Sequence, residues 1–133
     1  MLVTRETDYA VRCMLYLARD ENQVSSVDEV ARRMRIPRSF LAKIIQRLVR
    51  VGVVESIRGR NGGFRIAKKP SDISLLDITE AIQGPAYINF CAVNSRKCRI
   101  CSTCLVHPIW IELQKALDGT LRAQTIDRLA VGN

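Results

Sequence analysis

Between Ser26 and Ala67 the hydrophobic pattern is cut into short pieces, and each cut falls at a residue that starts or stops an element. Ser26 and Glu29 form a capping-box pair: the hydroxyl accepts from the backbone three residues on and the acid reaches back, so a helix opens at Val27. Val30, Ala31 and Met34 give it one apolar side as far as Met34. Ile36-Pro37 ends it, because a proline ring cannot continue a helix but suits the first turn of a new one. The next helix runs from Arg38 to about Val51, where Gly52 stops it. Phe40, Leu41, Ile44, Ile45 and Leu48 form its packing stripe, and Arg38, Ser39, Lys43, Gln46, Arg47 and Arg50 its outward one. Val53 to Ile57 then reads as a strand, Arg58-Gly59-Arg60-Asn61-Gly62-Gly63 as a tight turn, and Phe64 to Ala67 as the returning strand.

Two short helices followed by a basic hairpin is the order of a winged helix-turn-helix, whose second helix enters the major groove. The flanking patterns are helical as well. Thr4 caps residues 5–19, with Ala10, Val11, Met14, Leu15 and Ala18 at helical spacing, and Ser74 caps Leu75 to Gln83, which ends at Gly84-Pro85. Periodicity is lost over 85–104. It returns at Leu105 with Val106, Ile109, Trp110, Leu113 and Leu117, in a helix that either runs on past Gly119 or restarts with Thr125 as cap. The fold class is thus mainly α with a small β-hairpin, around the single core that 133 residues can build. The expected organisation is a winged helix-turn-helix over 1–84, a loop over 85–104, and a long helix and tail over 105–133. The apolar seam of that long helix lies outside a core of this size, and a second copy of the chain is the simplest cover for it, making the chain a homodimer.

The net charge of +8 is concentrated in one segment. From Arg32 to Lys69 there are twelve basic residues and one acid, Glu55, a net of +11 that leaves −3 for the remainder. Such a patch suits a polyanion, and with the helix order it points to double-stranded DNA. Arg38, Ser39 and Lys43, on the first exposed turns of the reading helix, are placed for base edges. Arg58, Arg60, Asn61 and Arg65 decorate a hairpin whose tip fits a narrow minor groove. Arg47, Arg50, Lys68 and Lys69 read as phosphate contacts, which add affinity without sequence information. One histidine, no phosphate-cradling glycine motif and no recognisable pair of acids argue against an enzyme. No stretch is apolar enough to span a membrane, and residues Met1 to Thr7 lack the apolar block of a signal peptide, so a cytoplasmic protein with no membrane partner is expected.

In that compartment cysteines serve more often as metal ligands or redox groups than as structural disulfides. Cys13, inside the first helix, reads as a small buried apolar residue. The other four form Cys91-x6-Cys98-x2-Cys101-x2-Cys104, with His107 just beyond and Arg96, Lys97 and Arg99 among them. Four thiols on a loop with no packing pattern can converge on one metal centre, and the neighbouring cations favour thiolate. An iron-sulfur cluster, a structural zinc and a metal-free thiol switch all remain open; a run of cysteines suits the first better than the paired C-x2-C of zinc sites. His107 is by default a helix-end residue and Asp8 a solvated carboxylate.

Taken together, Thr7-Asp8-Tyr9-Ala10, the wing Arg58 to Arg65, the cysteine loop and Cys104-Leu105-Val106-His107-Pro108-Ile109-Trp110 resemble the iron-sulfur winged-helix transcription regulators of the IscR and NsrR type, over nearly the whole chain. The resemblance implies a homodimeric regulator, a repressor, with a long dimerisation helix carrying Val106, Ile109, Trp110, Leu113 and Leu117. It also implies an iron-sulfur cluster, 4Fe-4S or 2Fe-2S, that senses nitric oxide, redox or iron-sulfur status. By the same resemblance Cys91, Cys98 and Cys104 are the ligands, with Asp8 of the partner subunit, as in the NsrR type, or His107, as in the IscR type, as the fourth. The sequence departs from the pattern in having six rather than five residues in its first gap and an extra thiol, Cys101, which could complete a four-cysteine site.

Overall fold

The first, second and fourth helices begin at the caps read in the sequence, whereas the long helix expected from Leu105 starts at His107 with no side-chain cap. A computed structural model describes residues 3–131; Met1 and Leu2 of the expected 1–84 segment, and Gly132 and Asn133 of the tail in 105–133, lie outside the described residues. Helix α1 spans Arg5–Ala18, with the Thr4 hydroxyl accepting from Thr7 N. Helix α2 spans Val27–Met34, capped by Ser26, and ends where Arg35 turns left-handed at φ 54°. Helix α3 follows Pro37 and spans Arg38–Arg50. Strands β1 (Val54–Ile57) and β2 (Gly63–Ile66) form an antiparallel pair with Val54 opposite Ile66 and Glu55 opposite Arg65. After a 3-10 turn at Pro70–Asp72, helix α4 spans Leu75–Gln83 behind a full Ser74/Asp77 capping box.

The strands lie one residue from their expected bounds. Val53 is taken by the exit from α3, where its N–H donates to the Leu48 carbonyl at 3.2 Å, and Gly63 pairs with Ile57. The hairpin turn depends on glycine for space: a Cβ on Gly62 would lie 2.3 Å from the Ile57 carbonyl oxygen, and one on Gly63 2.4 Å from that of Ser25. That approach matters because Ser25 and Phe64 exchange two backbone hydrogen bonds of 2.8 Å, fastening the wing to the entry of α2.

The core joins Met14 and Leu17 of α1, Val30 of α2, Leu41, Ile44, Ile45 and Leu48 of α3, Val54 and Ile66 of the wing, and Ile73 and Ile78. Cys13 is fully buried there, as expected, and desolvation pushes its thiol up to about 12. Phe40 is a correction: instead of joining the α3 stripe it is 47% exposed, on the flank of the helix facing Tyr9, with ring centroids 6.4 Å apart.

Beyond Gly84 the chain makes one helical turn, α5 (Phe90–Val93), and a 3-10 turn at Ser95–Lys97 before helix α6 (His107–Ala123). Helix α6 runs through Gly119, and the chain then restarts as α7 (Ile126–Val131), so both alternatives for the C-terminal pattern are realised. The break is pinned to the core. Leu75 N donates to the Gln124 carbonyl and Ile126 N to the Ile73 carbonyl, both at 2.9 Å, and Ile126 is fully buried.

Candidate functional site: a DNA-reading face and a thiol loop

Helix α3 buries Leu41, Ile44, Ile45 and Leu48, so its helical period turns Ser39, Lys43, Gln46 and Arg50 outward. The wing presents Arg58, Arg60 and Asn61, all exposed at its tip, and Lys68 and Lys69 follow it on the surface. Among the described residues none of these cations is ion-paired. Three other expected DNA residues are engaged within the protein. Arg38 pairs with Asp28 and Arg65 with Glu55 across the hairpin. Arg47 Nη1 donates both to Glu6 Oε2 at 3.1 Å and to the Ile82 carbonyl at 3.0 Å. The Arg38 pair is well exposed, so its coupling is weak in water and leaves the side chain available.

The thiol loop is tied to α6 by a residue the sequence reading passed over. Gln114 is 6% exposed; its Oε1 accepts from Ile88 N at 2.9 Å and its Nε2 donates to the Ala86 carbonyl and to Asp118 Oδ1, each at 3.0 Å. Its place in line with Trp110, Leu117 and Leu121, one inward face of α6, is the signal that could have found it.

Within the loop Cys101 meets two of the other candidate ligands. Its Sγ lies 3.7 Å from His107 Nδ1, and it shares a side-chain hydrogen bond with Cys98. The Cys101 thiol is pushed up to about 11, first by partial desolvation, then by Cys98 and by the negative charge that Cys91 and Cys104 would carry. The Cys98 thiol is lowered, chiefly by the Ile100 backbone N–H and next by Cys101, so Cys98 ionises before its neighbour. All four loop cysteines are free and half-buried. Arg96, Lys97 and Arg99 are exposed beside them, and Lys97 lies over the Phe90 ring at 5.5 Å. Among the described residues no three His, Cys, Asp or Glu side chains are drawn together closely enough to hold a metal ion as they stand. The donor set of four soft thiols and one imidazole on an otherwise unpatterned loop nevertheless matches what an iron-sulfur group takes.

Asp8 is elsewhere in the single chain. It pairs with Arg12 at 2.6 Å, one helical turn on, and both line an open pocket of about 420 Å³ with Tyr9 and Arg35 that contains no loop residue. The seam expected on α6 divides between two faces. Trp110 and Leu117 are half-buried in their own chain, whereas Val106, Ile109 and Leu113 remain 43%, 50% and 43% exposed. No helix among the described residues is long and apolar enough to cross a membrane.

Comparisons with known proteins bear on the family and the fold. The family model for Rrf2, described as an iron-dependent transcriptional regulator, matches residues 3–132. The HTH-type transcriptional regulator NsrR of Geobacillus kaustophilus is 32% identical over 124 residues, covering 92% of this chain and 82% of that protein. Among solved structures, IscR of T. potens superposes with a TM-score of 0.78 at 25% identity, over 98% of this chain and 88% of that one. CymR, the global cysteine regulator of B. subtilis, has a TM-score of 0.79 at 22% identity, over 98% and 97%, and shares the fold. The chain belongs to the Rrf2 family and is a DNA-binding transcriptional regulator, not an enzyme.

Proposed function

We propose that the protein is a cytoplasmic homodimeric repressor whose affinity for a roughly palindromic operator is set by an iron-sulfur group held on the thiol loop. The observation that carries this reading is the run of four free thiols on the segment joining the reading head to α6, with Cys101 Sγ 3.7 Å from His107 Nδ1 and hydrogen-bonded to Cys98. The exposed Val106, Ile109 and Leu113 support a second copy on α6, and two copies suit two half-sites one helical turn apart. Ser39, Lys43, Arg58, Arg60 and Asn61, with Arg38 and Arg65 released from their partners, would read bases; Arg50, Lys68 and Lys69 would hold phosphates.

Cys91, Cys98 and Cys104 would hold the group, with Asp8 of a second copy, Cys101 or His107 as fourth ligand. When bound it would supply a centre that reacts with nitric oxide or oxidants. The chain's own part is mechanical. Gln114 fixes where the loop leaves α4, and a carboxylate from the partner's α1 would join that loop to the opposite reading head. Carboxylate is a weaker ligand for such iron than thiolate, so a tie through Asp8 would be the weakest of the set, and its loss would leave the two heads free to change their spacing. The test is visible absorbance with iron and sulfide analysis on protein purified without oxygen. Charge-transfer colour with matching iron and sulfide supports the reading, and colourless protein with zinc refutes it.

A thiol switch is the second reading, favoured by the hydrogen bond between Cys98 and Cys101. It requires colourless protein that loses two titratable thiols on mild peroxide treatment.

A further inference from the structure

We infer that Arg47 is a positioning residue that fastens the reading helix to the two segments leading to the sensing loop, and not a phosphate contact. This rests on the reading of α3 as the base-reading helix. Arg47 lies on the flank of α3, and its one Nη1 is shared between the Glu6 carboxylate of α1 and the carbonyl of Ile82 in the last turn of α4. That carbonyl is one of the helix-end acceptors left without an intrahelical partner, and a guanidinium suits it in charge and geometry. One residue on, Gln83 Oε1 accepts from Thr4 N at 2.9 Å and from the buried Thr7 hydroxyl at 2.7 Å, so the start of α1 and the end of α4 form one knot. The chain enters the thiol loop directly beyond, at Gly84. A second grip lies one turn along α1, where Tyr9 packs on Phe40 of the same α3 flank. Glu6 and Tyr9 therefore stand on either side of Asp8, and each holds the reading helix. A shift of α1 at Asp8, or of α4 where the loop begins, is passed to α3 through these contacts.

The two roles for Arg47 give opposite signs for Glu6. If Arg47 serves phosphate, Glu6→Gln frees it, removes a negative charge near DNA and tightens binding. If Arg47 positions α3, the same isosteric change weakens binding by about three- to tenfold, the scale of a half-exposed charged hydrogen bond. The experiment titrates Glu6→Gln, Arg47→Ala, Arg50→Ala and Lys43→Ala with a duplex selected from a randomised DNA pool, at several salt concentrations, and measures hydrogen exchange across α3 without DNA. Expected are weaker binding in both Glu6→Gln and Arg47→Ala with the salt slope unchanged, a slope lower by about one in Arg50→Ala, and faster α3 exchange in the first two alone. Tighter binding by Glu6→Gln, or a lost slope in Arg47→Ala with unchanged exchange, overturns the inference. If Lys43→Ala binds normally, the docking of α3 fails instead, and the exchange data alone decide whether Arg47 holds the helix.

Discussion

Replacing Gln114 by alanine should detach the thiol loop while leaving the reading head folded. The amide satisfies the carbonyl of Ala86, a residue 6% exposed, and the Ile88 N–H on a half-buried residue that water can partly reach. A buried polar group left unsatisfied costs about 1 to 3 kcal/mol. Counting the carbonyl in full and the N–H in part gives about 2 kcal/mol, a roughly thirtyfold rise in the opening equilibrium of the segment. Local opening of this kind is read by hydrogen exchange. The amides of Ala92 and Asn94, which bond the Asn89 and Phe90 carbonyls, should exchange about thirtyfold faster, while those of α2 and α3 keep their rates. Unchanged exchange at Ala92 and Asn94 would refute the anchoring role, and equal acceleration in α3 would show that Gln114 supports the whole core.

Leu113→Glu places a charge on the exposed apolar edge of α6, and sedimentation should show monomers that no longer bind operator; a mutant that remains dimeric moves the interface elsewhere. Lys43→Ala and Arg60→Ala should each cost about 1 to 3 kcal/mol of operator binding in a salt-controlled titration, whereas Lys69→Ala should weaken all sequences alike. Asp8→Ala, reconstituted without oxygen, should keep much of its visible colour yet lose the dependence of DNA binding on that colour; normal dependence would give the role to Cys101 or His107. In cluster-free protein a thiol reagent should reach the four half-buried loop cysteines and spare Cys13 until denaturant is added. The Cys13 thiol sits at about 12 when folded against an ordinary 9.0, so its contribution to stability is intact below pH 9 and declines as pH rises toward 12.

The elements legible in the sequence were those whose boundaries are local. Helices α2 and α4 have the expected bounds because Ser26 and Ser74 cap them with side chains that accept from backbone N–H groups three residues on. What stayed hidden depends on partners far along the chain. Phe40 fits the apolar stripe by type, but it lies at the stripe's edge, where Tyr9 offers it a ring instead of a core. Arg47 looks like any outward arginine until Glu6, in another helix, is brought beside it. That Cys101 lies beside His107 and Cys98 was not legible in the cysteine spacing, because turns of the loop decide it and no period encodes them. Neither the return of Ile126 to the core nor the half-burial of Trp110 and Leu117 could be read from a helical pattern that looks alike for every apolar face.

The pinning of Ile126 beside Ile73 also sets an order of events during synthesis. Every residue of the helix-turn-helix and wing has left the ribosome well before residue 126, yet until then the core lacks a side chain that is fully buried in the finished protein. A nascent chain therefore exposes its four loop thiols before the residue that completes the core is available to it. A chain cut between α6 and α7 would lack that side chain for good, leaving the space beside Ile73 without its filling residue.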